Sequence, residues 1–76
     1  MTDLPSVSAA RLIRALQRAG FFVHHVTGGH YVLKHPDRPA VRIVVPHNGS
    51  ADVKRRILCS ILHQVGLTAD ELVRLL

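Results

Sequence analysis

Cysteine is almost missing: Cys59 is the single thiol in 76 residues. One thiol closes no intrachain disulfide and builds no thiolate zinc site, which fits a reducing compartment better than a secreted one. Acidic side chains are scarce too, five Asp and Glu against ten Lys and Arg, for a formal charge of +5. On so small a body that imbalance makes a positive field that favours a polyanion or an acidic protein. No apolar run approaches the roughly 20 residues that span a bilayer, and residues 1–8 have neither a basic start nor an apolar h-region. The expectation is a cytoplasmic protein without membrane association. There is also no internal repeat, low-complexity tract or linker, so one domain over residues 1–76 is expected. Its hydrophobic content of 47% makes a compact core plausible at a size where domains bury only roughly 60% of their unfolded surface.

What is present sorts into helix and strand signals. Ser8 can cap a helix whose Ala9, Leu12, Ile13 and Leu16 share one apolar face, and Gly20 stops it. Arg11, Arg14 and Arg18 line another face, as the solvated side of an amphipathic helix or a binding stripe. Residues 21–26 read as a strand, Thr27-Gly28-Gly29 as a turn, residues 30–34 as a second strand and residues 41–45 as a third, after a connection holding Pro36, Asp37 and Pro39. Alternation sets Tyr31 and Leu33 against the helices and leaves His30, Val32, Lys34, Arg42 and Val44 on the opposite face. Ser50 is the expected N-cap of a second long helix ending at Gly66, with Val53, Ile57, Leu58, Ile61, Leu62 and Val65 in one arc and Lys54 inside that arc. Lys54, Arg55 and Arg56 at that helix start suit a phosphate corner or plain solvation, with Asp52 competing for the same donors. Thr68-Ala69-Asp70-Glu71 has the form of a capping box opening a short third helix. The fold class is α+β: a three-stranded antiparallel sheet with two helices on one face, in the order α-β-β-β-α plus a C-terminal helix.

Six histidines raise the question of a metal, but their spacing argues against one. His24 and His25 are neighbours on a strand and should point to opposite faces, as should His30 and His35. No HxxxH pair on a helix joins them, so no metal site and no cofactor is expected. Cys59 lacks an activating partner, and no Gly-x-Ser-x-Gly or phosphate-binding glycine loop occurs. What remains is an imidazole on a basic sheet surface. Such a group can take the 2′-hydroxyl proton of RNA or return one to the leaving oxygen while cations stabilise the phosphate. RNA carries its own nucleophile, so this chemistry needs no metal.

Three stretches then resemble one family: Thr27-Gly28-Gly29-His30-Tyr31-Val32-Leu33-Lys34-His35-Pro36, Val44-Val45-Pro46-His47, and Leu58-Cys59-Ser60-Ile61-Leu62-His63-Gln64-Val65-Gly66-Leu67. Together they are similar to the HicA toxins of bacterial and archaeal toxin-antitoxin pairs, from Ser8 to about Leu67. The resemblance implies a double-stranded-RNA-binding-like fold and an endoribonuclease that cuts messenger RNA until a HicB-like antitoxin covers it. The family's catalytic histidine falls on His30, and Gly28 matches the glycine of its Gly-Ser-His motif. Gly28, Gly29, Lys34, His35, His47, Lys54, Arg55 and Arg56 are the implied RNA contacts. Two departures stand out: Gly29 replaces the usual serine, and Arg56-Ile57 replaces a frequent Gly-Thr.

An antitoxin could block His30 by presenting carboxylates to Lys34 and Arg42 while packing on Val32 and Val44. A non-catalytic module that reads structured RNA by shape is the alternative function. His30 discriminates between them.

Overall fold

The computed structural model describes residues 4–47 and 51–76. Helix α1 (Ala9–Arg18) starts where expected, with the Ser8 hydroxyl accepting from the Arg11 N–H. It ends as the chain turns through Gly20, at φ 100°. Leu12, Ile13 and Leu16 of its apolar face are buried. Three strands follow, β1 (Phe22–Thr27), β2 (His30–His35) and β3 (Arg38–Pro46), then α2 (Arg55–Val65) and α3 (Ala69–Leu75).

The sheet is an antiparallel meander in the order β1-β2-β3, which makes β2 its central strand. β3 is longer than residues 41–45 and takes in Pro39. An edge strand tolerates that proline because its outer side needs no ladder donor. Register puts Leu33 between Val23 and Ile43, and Tyr31 between Val26 and Val45. Leu33, Ile43 and Val45 are fully buried against Leu12, Leu16, Leu58 and Ile61. Burying each such side chain is worth about 1.5–3 kcal/mol relative to leaving it exposed.

Helix α2 begins later than the sequence suggests. Ser50 lies outside the described residues, and the N-cap position belongs to Lys54, whose side chain makes no capping bond. The chain before it is tied down by the Val53 N–H donating to the Val7 carbonyl at 2.8 Å and by a bridge between Ser8 and Asp52. Gly66 closes α2 at φ 76°, and the Arg38 guanidinium donates to the Val65 carbonyl at 3.0 Å. Helix α3 packs on α1, opens with the Thr68–Glu71 capping box, and receives a 2.6 Å bond from Arg18 at the Leu75 carbonyl. Among the described residues no helix is long and apolar enough to cross a membrane.

Candidate functional site

The β1–β2 connection is a two-residue hairpin turn. Gly28 and Gly29 take φ 52° and 81°, the pair of positive values that a type I′ turn needs and that glycine adopts without steric cost. Thr27 and His30 face each other across it. The turn therefore fixes the backbone of His30 at the rim of the open sheet face, where its side chain is exposed. Its Nδ1 lies 3.2 Å from the Gly28 carbonyl oxygen. A carbonyl only accepts, so in this bond Nδ1 carries the proton and the neutral ring keeps its Nε2 lone pair free.

The other side of the turn is held by β3. Pro46 pairs with His30, and the His47 N–H donates to the Gly29 carbonyl at 2.8 Å. The His47 ring lies against Tyr31, with centroids 5.2 Å apart and planes tilted by 31°. Tyr31 belongs to the helix-facing side of β2 and is packed against the core, so His47 leans away from the face that carries His30.

Pro46 also borders the start of α2. A recess of about 240 Å³ is lined by Pro46, Asp52, Lys54 and Ile57, together with Ala51 and Val53. Lys54 is exposed at this recess, Arg55 and Arg56 are exposed on the turn that follows, and no acidic residue occupies the first turn of α2. Lys54 is thus an exposed cation at a helix N-terminus and not a member of the apolar arc, because the helix starts one residue after it. The free N–H groups of that turn add to its attraction for anions. Asp52 shares the recess and opposes it.

Other expected site residues stand elsewhere. Lys34 pairs with Arg42 and with Phe22 on the open face, roughly 13 Å along the strand from His30 at about 3.3 Å per residue. His35 sits at that same far end and does structural work. Its ring meets Phe21 edge-on at 5.0 Å, and its Nδ1 accepts from the Asp37 N–H at 3.1 Å. It stands apart from the His30 turn, at the opposite end of the strand.

Val32 is corrected as well. Alternation puts it on the open face, but it is only 3% exposed. His25 and Val44 flank it on either side of the central strand, and such flanking side chains can cover a short β-branched residue without any helix above. The apolar atoms that face carries outward belong to Phe22 and Val44, 44% and 37% exposed. Two adjacent phenylalanines on a strand were the signal for Phe22, since burying Phe21 turns its neighbour out.

His24 and His25 do not point to opposite faces. The β1 register slips between Val23 and His25, and the extra residue of this bulge brings the two rings together, with Nδ1 atoms 2.8 Å apart. Among the described residues no third His, Cys, Asp or Glu joins them as a metal-binding group.

A family model described as the HicA toxin of bacterial toxin-antitoxin matches residues 9–67. The chain belongs to the HicA toxin family. No curated protein matches it. The matched segment runs from the first residue of α1 to just past α2, and so contains the His30 turn, the β3 end and the basic start of α2. Helix α3 lies outside it. As a HicA-family chain, this protein is a toxin with a cognate antitoxin as its partner.

Proposed function

We propose that this HicA-family toxin is a cytoplasmic endoribonuclease that cleaves messenger RNA with His30 as its general acid and base, without a metal. The reading is carried by one observation, the exposed imidazole on a two-glycine turn whose Nδ1 is committed to the Gly28 carbonyl. Nε2 then removes the proton of an RNA 2′-hydroxyl. The 2′-oxygen attacks the adjacent phosphorus, the bond to the 5′-oxygen breaks, and the imidazolium returns the proton to that leaving oxygen. The products are a 2′,3′-cyclic phosphate and a 5′-hydroxyl, and the histidine ends as it began.

A single imidazole serves both transfers in this scheme, because His47 is turned toward Tyr31. General acid–base help of this kind is worth about 10²- to 10⁴-fold. Lys54, Arg55 and Arg56 hold phosphates next to Pro46, with Gly28, Gly29 and His47 shaping the contact at the turn. Their role is to position and to neutralise charge.

The partner in this proposal is a HicB-like antitoxin. It reaches across the open face, setting carboxylates against Lys34 and Arg42 and apolar atoms against Phe22 and Val44, and so occludes His30. Rim charges of this sort govern association rate and salt dependence more than final affinity. A non-catalytic RNA-binding module would have the same basic start of α2 but no use for the free Nε2.

The test is an incubation of RNA with purified protein in the presence of chelator, followed by analysis of the product ends. Cyclic-phosphate ends support attack by the 2′-hydroxyl. RNA that stays intact while still bound supports the binding module.

A further inference from the structure

A second recess lies around the end of the sheet from His30. It measures about 200 Å³ and is lined by Ala10, Ile13, Arg14, Tyr31 and His47. Two aromatic faces form one wall, since the Tyr31 and His47 rings are 5.2 Å apart and tilted by 31°. An apolar helix face forms the other. Arg14 lines the recess as well, and it also borders a groove that it shares with Arg11 and Arg18.

The recess is joined to the His30 turn by backbone: His47 donates to the Gly29 carbonyl at 2.8 Å, and Tyr31 follows His30 directly. We propose that it binds one unpaired nucleobase of the RNA strand, next to the phosphate held at His30, with the flanking backbone running along Arg14 and Arg11. This rests on the ribonuclease reading and sharpens it. A base stacked inside the duplex cannot enter such a recess, so the substrate is single-stranded or looped RNA. Recognition of this kind differs from the reading of duplex shape across the minor groove that double-stranded-RNA-binding-like folds use.

Charge and chemistry favour this occupant. Aromatic rings beside an arginine are what unstacked bases settle on, and the stack tolerates any base because each has a π-face. The arginine row supplies a cation on the side where the sugar-phosphate backbone must leave. Arg18 is partly committed to the Leu75 carbonyl at 2.6 Å, but Arg11 and Arg14 are exposed.

The experiment uses the full chain and unpaired 2′-O-methyl oligoribonucleotides, which lack the attacking hydroxyl and so report binding whether or not the protein cleaves. 2-Aminopurine is placed at each position in turn. Wild type should quench its fluorescence strongly at one position, and Tyr31→Leu should abolish that quenching with a loss of about tenfold or more in affinity, the effect of removing one base–aromatic stack. Because Tyr31 touches the core, Ala10→Glu serves as a second variant. Ala10 is exposed, so a glutamate there fills the mouth with negative charge and leaves the core alone. It should weaken binding by at least as much.

Equal quenching at all positions, or binding unchanged in Ala10→Glu, overturns the proposal; the latter is also what a recess filled by a protein side chain predicts. Position-specific quenching without cleavage of ordinary RNA would leave the recess standing and remove the nuclease reading. Cleavage by a protein whose binding ignores both variants would do the reverse.

Discussion

The His47 N–H donates to the Gly29 carbonyl at 2.8 Å, and this bond fastens the end of β3 to the turn that carries His30. A turn held from both sides leaves its imidazole little freedom in where its backbone sits. What the turn still requires at its first position is a residue that tolerates a positive φ. Gly28→Val forces a β-branched residue to φ 52° and should cost about 1–2 kcal/mol. Among the described residues no atom beyond the chain neighbours lies within 4 Å of a Cβ there, so Gly28→Asn, which tolerates the left-handed region, should melt close to wild type. Thermal unfolding of the two variants separates backbone strain from lost space.

The far end of β2 has a steric constraint of its own. A Cβ on Gly20 would meet His35 Nε2 at 2.7 Å, at φ 100°, and the ring cannot easily retreat because it packs on Phe21 and accepts from the Asp37 N–H. Gly20→Ala should therefore destabilise more than strain alone, and by visibly less in a His35→Ala background. A double-mutant cycle that finds the two costs additive would contradict the packing role given to His35.

The basic start of α2 predicts a salt dependence. Replacing Arg55 and Arg56 with glutamine should weaken RNA binding across sequences alike and lower the slope of log K against log salt by about 0.7 per lost contact on a single strand. An unchanged slope would make these residues plain solvated surface.

A pH effect belongs to α3. The Glu71 carboxylate accepts from the Thr68 N–H at 3.0 Å, and that bond, with the Thr68 hydroxyl and then Arg74 assisting, holds its pKa below the ordinary 4.5. A lowered folded-state pKa means that the unfolded chain binds the proton first. The stabilisation is therefore complete above 4.5 and is lost as pH falls through the folded value. Glu71→Gln can still cap but cannot titrate, so its stability should fall less steeply with acid in a denaturant series run across that range.

Local signals carried most of the architecture. Ser8, Gly20, Gly66 and the Thr68–Glu71 box mark helix ends through bonds and dihedral angles made within a few residues, and they are where the sequence puts them. The meander was legible because Gly28-Gly29 can hardly be anything but a turn. The misread features depend on partners distant in sequence. The bulge that joins His24 to His25 exists only in register with β2, and Val32 is buried by residues of two other strands. The late start of α2 reflects the anchoring of residues 52–53 to residues 7–8, which no periodicity announces. In the candidate site, His30 and the α2 cations could be named from sequence. The Tyr31–His47 recess could not, since its wall is made where α1 crosses the end of the sheet.

The most direct measurement is RNA cleavage by wild type beside His30→Ala, with chelator present and folding of both checked by circular dichroism. The folded variant is expected to bind RNA still and to cut none. Cleavage by His30→Ala at the wild-type rate would contradict it and move the chemistry away from the hairpin turn.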